Sequence, residues 1–246
     1  MWNIIGDYLG QDVKDAFVRN PPKYVVSDDL GWLDEIILET RDKLVSMKQI
    51  AAERMVSHYR AFRVSHGTRT AYVDSFYCQG LRKIRSEEFD RLARELLLTQ
   101  EFSYASEKSL VAAIEEIDAK GPGCREGYLY FCADEQELIE NAGHYLIYGS
   151  EYLYCLAIRV VGAWRAQKLL TSIGKPTMIV CDLPYGYLSP DQQGEFAGMC
   201  LEVMFSELLG RNDNYGHGTA VMLSRDVPSK YIVGHYHPQK IRDPFN

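Results

Sequence analysis

The chain has 246 residues, 46% hydrophobic and 25% charged, enough to bury a substantial core and ordinary for a globular protein, so disorder is excluded as the default. A formal net charge of -7 argues against a broadly basic nucleic-acid-binding surface. No apolar run approaches the roughly 20 residues that span a bilayer, and Met1-Trp2-Asn3-Ile4 lacks the basic-then-apolar start of a signal peptide, so a cytoplasmic protein without a membrane partner is expected.

Residues 1 to 26 contain Pro21-Pro22 and little clean periodicity, and read as a short helix or irregular arm ending in the strand-like Tyr24-Val25-Val26. Ser27-Asp28-Asp29 offers a helix cap, and Trp32, Ile36, Leu44, Met47, Ala51 and Met55 support one long helix to about His58. The alternation over Phe62 to His66 predicts a half-buried strand, ended by Gly67, where the backbone can turn or approach a ligand. Imidazole, hydroxyl and guanidinium then stand together in His66-Gly67-Thr68-Arg69, an array of donors and acceptors that suits a nucleotide, although a polar turn would use the same residues. Arg60, Arg63, Arg69, Arg82, Lys83 and Arg85 gather positive charge around it, as a phosphate-bearing ligand or a nucleic-acid strand would require.

Tyr72, Phe76 and Tyr77 predict a short helix or turn over residues 71 to 80, with core packing the simplest use of the three rings. Ser86 and Ser106 look like caps of two amphipathic scaffold helices, the pair ending at Gly121-Pro122-Gly123. Residues 125 to 134 read as an aromatic strand with Tyr128 and Tyr130 on one side, and Asp134 with Glu137 as a capping box. The helix it opens is expected to run, with a possible break at Gly149, to Thr171. His144, Tyr148, Glu151 and Cys155 fall at offsets of four, three and four on one face of that helix. Glu151 sits in an aromatic, apolar run, where a carboxylate is either solvated or kept for chemistry, since burying it unpaired is costly.

Residues 177 to 183 form a clear buried strand, and Ser189 with Pro190 and Gln192 opens a helix carrying Glu195 and Glu202. Residues 219 to 223 supply another strand, and the segment Val227 to Tyr236 follows it. His235 and His237 share a strand face but lack a third ligand at matching spacing, so no metal is expected. The six cysteines, Cys78, Cys124, Cys132, Cys155, Cys181 and Cys200, form no C-x-x-C pair and read as reduced core residues.

Val64-Ser65-His66-Gly67-Thr68-Arg69, followed by Tyr72 and Gly80-Leu81, resembles the first motif of ADP-ribosyltransferases of the diphtheria-toxin and poly-ADP-ribose-polymerase type. The resemblance runs from about Arg60 to Pro238 and implies that His66 contacts the adenosine ribose of NAD and the Gly67 backbone its nicotinamide amide. Thr68, Arg69 and Tyr72 would flank the ligand. Gly127-x-x-Tyr130-Phe131 is similar to the second motif with one extra residue, leaving open whether Tyr128 or Tyr130 stacks on nicotinamide.

Cleaving the nicotinamide bond gives an oxocarbenium-like ribose that needs a carboxylate beside it. The late motif that carries this glutamate in many relatives corresponds here to Gly218-Thr219-Ala220-Val221-Met222-Leu223, which has no acid. Glu151 is then the first candidate, with Tyr148 beside it, and Glu195 and Glu202 are the reserves. The fold implied is α+β: a small split sheet flanked by helices over residues 60 to 246, with residues 1 to 59 an N-terminal helical extension. The function implied is transfer of ADP-ribose from NAD to a macromolecule, RNA or DNA before protein, by a bacterial toxin or phage-defence enzyme that an antitoxin protein could hold in check. The alternatives are an NAD glycohydrolase and a non-catalytic nucleotide-binding or antitoxin-like module.

Overall fold

The computed structural model describes residues 2–119, 127–210 and 219–245. In chain order the helices and strands are α1 (Trp2–Ile5), α2 (Gln11–Arg19), α3 (Gly31–Arg41), α4 (Met47–His58), β1 (Ala61–Thr70), α5 (Asp74–Gln79), α6 (Ser86–Leu97), α7 (Glu107–Ala119), β2 (Leu129–Cys132), α8 (Glu135–Glu140), α9 (His144–Ile147), α10 (Glu151–Val161), α11 (Ala163–Ser172), β3 (Lys175–Pro184), α12 (Pro190–Leu208), β4 (Ala220–Leu223) and β5 (Ile232–Tyr236). The class is α+β. The chain forms two compact units, Met1–Phe62 with Leu183–Thr219, and Arg63–Asp182 with Ala220–Asn246.

The first unit is helical. Phe205 of α12 is fully buried and meets Phe17 edge-on at 4.8 Å, Trp32 at 5.1 Å and Trp2 at 5.4 Å between ring centroids. The N-terminal helices therefore share a core with a helix from late in the chain, and α12 also packs along α4. The expected capping box starts α12: Ser189 accepts from the Gln192 amide, and Gln192 accepts in return from the Ser189 amide.

One long helix over residues 32 to 58 is not what forms. The chain breaks between α3 and α4: Asp42 adopts a left-handed conformation, and Leu44, counted in the apolar stripe, is 85% exposed. The cap of α4 comes from a distance, because Asp34 on α3 accepts from the Met47 amide at 2.8 Å. Residues 24 to 26 form no strand; the first 26 residues instead hold α1 and α2, which bury Ile4, Ile5, Val13 and Phe17.

The second unit holds most of a five-stranded sheet in the order β4-β2-β1-β3-β5. β2 pairs antiparallel with β1 (Ser65 opposite Cys132) and with β4 (Phe131 opposite Val221), and β5 pairs antiparallel with β3 (Ile179 opposite His235). The β1–β3 pair is antiparallel too, since Arg63 bonds Asp182 at one end and Gly174 abuts Thr70 at the other. Helices α6, α7, α10 and α11 bury their apolar faces together, around Leu97, Leu110, Leu156, Ala157 and Ala166. A smaller core of Cys132, Leu138, Leu146 and Met178 holds α8 and α9 on the sheet.

Two sequence expectations are corrected in this unit. β1 continues through His66 and Gly67 to Thr70, so the His-Gly pair lies within a strand. The helix expected from Asp134 to Thr171 does break at Gly149, but it is four helices in all, α8 to α11. Gly149 and Gly162 take φ of +82° and +83°, conformations that interrupt a right-handed helix and suit glycine. The Gly121-Pro122-Gly123 stop, Cys124, and Arg125-Glu126 lie outside the described residues.

Candidate functional site

A cavity of about 820 Å3 opens in the second unit, within the usual range for small-molecule sites. Its walls come from the C-terminal half of β1, from α5, α6 and the segment between them, from β2, and from α8 to α11. His66, Gly67, Thr68, Arg69, Tyr128, Tyr130, Tyr148 and Glu151 all line it. Of the residues singled out by resemblance, Tyr72 does not; its side chain is 79% exposed. Glu195 and Glu202 are on α12 in the first unit, outside the lining.

His66 is placed by its strand neighbour. Its Nδ1 lies 2.8 Å from the carbonyl oxygen of Tyr130, which can only accept, so Nδ1 carries the proton and Nε2 of the neutral ring is left as an acceptor. Burial pushes the His66 pKa below its usual value, against a smaller opposing effect of that hydrogen bond, and so favours the neutral ring. Gly67 answers a packing constraint. A Cβ there would lie 2.5 Å from Leu138 Cδ2 and 3.3 Å from Leu146 Cδ2, so the bare glycine lets α8 and α9 close onto β1.

Arg69 is committed elsewhere. Its Nε donates to the Ile173 carbonyl at 2.7 Å, and its Nη2 donates to the carbonyls of Thr171 and Gly174, capping the C-terminal end of α11 where orphan carbonyls and the helix dipole favour a cation. Arg63 forms a two-pronged pair with Asp182 at 2.7 and 2.8 Å, which holds the Asp182 carboxyl below its usual range. Arg82 and Arg85 both approach Glu88, at 3.5 and 4.0 Å. Arg82 and Lys83 are the basic residues of that sequence cluster, besides Arg69, that line the cavity.

Glu151 is the first residue of α10, a position where a helix accommodates negative charge, and Ser150 caps the same turn by accepting from the Leu153 amide at 3.4 Å. Its Oε2 accepts a 2.7 Å hydrogen bond from the Tyr145 hydroxyl, and Tyr145 also lines the cavity. Tyr148 ends α9; its ring stacks on Tyr154 at 4.6 Å and 3°, and its hydroxyl donates to Asp243 at 2.5 Å. The expected helix face is thus rearranged. Tyr148, Glu151 and Cys155 reach the cavity from either side of the Gly149 corner, while His144 is outside the lining and packs on Tyr145 and Phe245.

Three charged lining residues were missed from sequence: Glu88, Glu137 and Arg159. Arg159 had a signal, since Glu151, Cys155 and Arg159 recur every four residues along α10. Glu137 was read only as part of a cap; here Asp134 accepts from the Gln136 amide at 2.9 Å, and Glu137 lies 3.7 Å from the Cys132 thiol. Among the described residues no group of three or more His, Cys, Asp or Glu is arranged to hold a metal ion, and His235 and His237 instead bond Tyr77 and the Pro176 carbonyl. Nor, among them, is any helix long and apolar enough to cross a membrane. No family model matches the chain, and no curated protein and no solved structure matches it either.

Proposed function

We propose that the cavity binds NAD and that the protein transfers its ADP-ribose to a macromolecular acceptor. The observation that carries this reading is the convergence of residues from separate stretches, His66 to Arg69, Tyr128 and Tyr130, Tyr148, and Glu151, on one cavity of about 820 Å3. His66 Nε2 would accept from a ribose hydroxyl. Tyr128 and Tyr130 offer aromatic faces to the nicotinamide. Glu151 supplies the negative charge beside the ribose carbon as positive charge develops there. In the step itself the glycosidic C–N bond breaks with its electron pair leaving on nicotinamide; an acceptor nucleophile bonds to the same carbon and gives up its proton to water.

Arg63 and Arg69 of the sequence cluster are spent on structural partners, so the pyrophosphate and any acceptor phosphates fall to Lys83 and to Arg82, which would share its charge between the ligand and Glu88 3.5 Å away. Those two residues are what now favours RNA or DNA as acceptor. Kinship of this α+β fold with ADP-ribosyltransferases belongs to the same proposal, although the expected split sheet is here one five-stranded sheet, as does a role as a toxin or phage-defence effector held in check by a partner protein.

The test is incubation of the purified protein with NAD labelled on its adenylate, with DNA, RNA and cell protein offered separately. Label should pass to one acceptor, and Glu151→Gln should slow that transfer by about a hundredfold or more. Labelled ADP-ribose appearing free in every tube would select the hydrolase instead, and intact NAD throughout would end the enzyme reading.

A further inference from the structure

Glu151 and Tyr145 are six residues apart, a separation at which side chains on one continuous helix do not meet. They meet here because α9 stops at Ile147 and the chain turns a corner at Gly149, whose φ is +82°, before α10 begins. The corner sets the Tyr145 hydroxyl 2.7 Å from Glu151 Oε2, with both residues on the cavity wall. A glutamate side chain has three rotatable bonds, and one at a helix start can swing out to solvent at little cost. A directed hydroxyl donor on one carboxylate oxygen selects a single rotamer, and an O–H···O⁻ bond is among the stronger hydrogen bonds available for doing so. The tyrosine ring packs on the neighbouring imidazole, its centroid 4.0 Å from that of His144.

We propose that Tyr145 is the positioning residue that aims the Glu151 carboxylate into the cavity. The inference rests on the ADP-ribose-transfer reading for its kinetic consequence, and on geometry alone for its structural one. Tyr145→Phe keeps the ring and its packing and removes only the hydroxyl. Because small displacements of a catalytic group are expensive, kcat should fall about tenfold or more, with KM for NAD changing by less than about threefold. In a Glu151→Gln background the same substitution should cost nothing further, since the group it positions is already gone.

An unchanged kcat in Tyr145→Phe would overturn the assignment, as would a loss confined to KM or losses that multiply in the double variant. The crystal structure of Tyr145→Phe gives a readout independent of activity: the Glu151 side chain should leave its wild-type rotamer or divide between two. A single unchanged rotamer would overturn the proposal whether or not NAD is consumed, whereas a wild-type protein that leaves NAD intact overturns only the functional reading on which the kinetics depend.

Discussion

The two units differ in where their polar groups gather. In the helical unit, charged side chains pair at the surface, Arg41 with Asp12 and Arg54 with Asp7, around a core that buries Phe17 and Phe205 completely. In the sheet-bearing unit charges also pair at the surface, as Arg63 does with Asp182, but His66, Glu88, Glu137, Glu151 and Arg159 line a cavity besides. Charge facing a partly enclosed, mainly apolar space gives up solvation that a surface ion pair keeps, and such groups persist where a ligand uses them. On the proposed function, the contrast separates a scaffold unit from the unit that would hold the ligand.

The strongest way to sharpen the contrast is to damage the scaffold alone. Phe205→Ala removes a fully buried ring from a cluster of four aromatic side chains and should cost about 3–5 kcal/mol, read as a lowered urea midpoint. A loss below about 1 kcal/mol would mean that the aromatic cluster is not the core of that unit.

Gly67→Ala tests the other unit at the place where packing and site coincide. The added methyl meets Leu138 and Leu146, both buried, and should cost about 1–3 kcal/mol, with Leu138→Ala in the same chain recovering part of it by making room. Were Gly67→Ala neutral, the glycine would have to be explained by the ligand alone.

Legibility followed the same division between local and distant causes. The strand at residues 177 to 183 and the Ser189–Gln192 capping box depend on neighbours in sequence and could be read directly. The α3–α4 break could not, because the donor that α4 needs capped is satisfied by Asp34, thirteen residues back. Arg69 read as a ligand residue because its sequence neighbours are His66 and Thr68. The carbonyls that hold it arrive more than a hundred residues later, at Thr171, Ile173 and Gly174. The meeting of Tyr145 with Glu151 was hidden for a third reason: a break at Gly149 could be read from the glycine, but not the direction in which the chain leaves it, and that direction brings the two side chains together.

The smallest expected effect is on pH dependence. The His66 pKa is lowered by burial, so as pH falls the unfolded chain takes up that proton before the folded one does. Its contribution to stability is complete above about pH 6.5 and is lost as pH falls from there toward the folded value, by at most about 1.4 kcal/mol per pH unit. His66→Asn should flatten the fall in urea midpoint between pH 7.5 and 5.5. An identical slope in the variant would mean that the imidazole is already as free to protonate as in the unfolded chain.

The central claim, that the cavity is an NAD site, is tested most directly by calorimetric titration of NAD into Glu151→Gln, a near-isosteric change that removes the carboxylate proposed to turn the ligand over. The account predicts saturable binding at one site per chain, abolished or weakened at least tenfold by adding His66→Ala, which removes the acceptor nitrogen. Heats that show no binding at millimolar NAD, or binding that His66→Ala leaves unchanged, would contradict it.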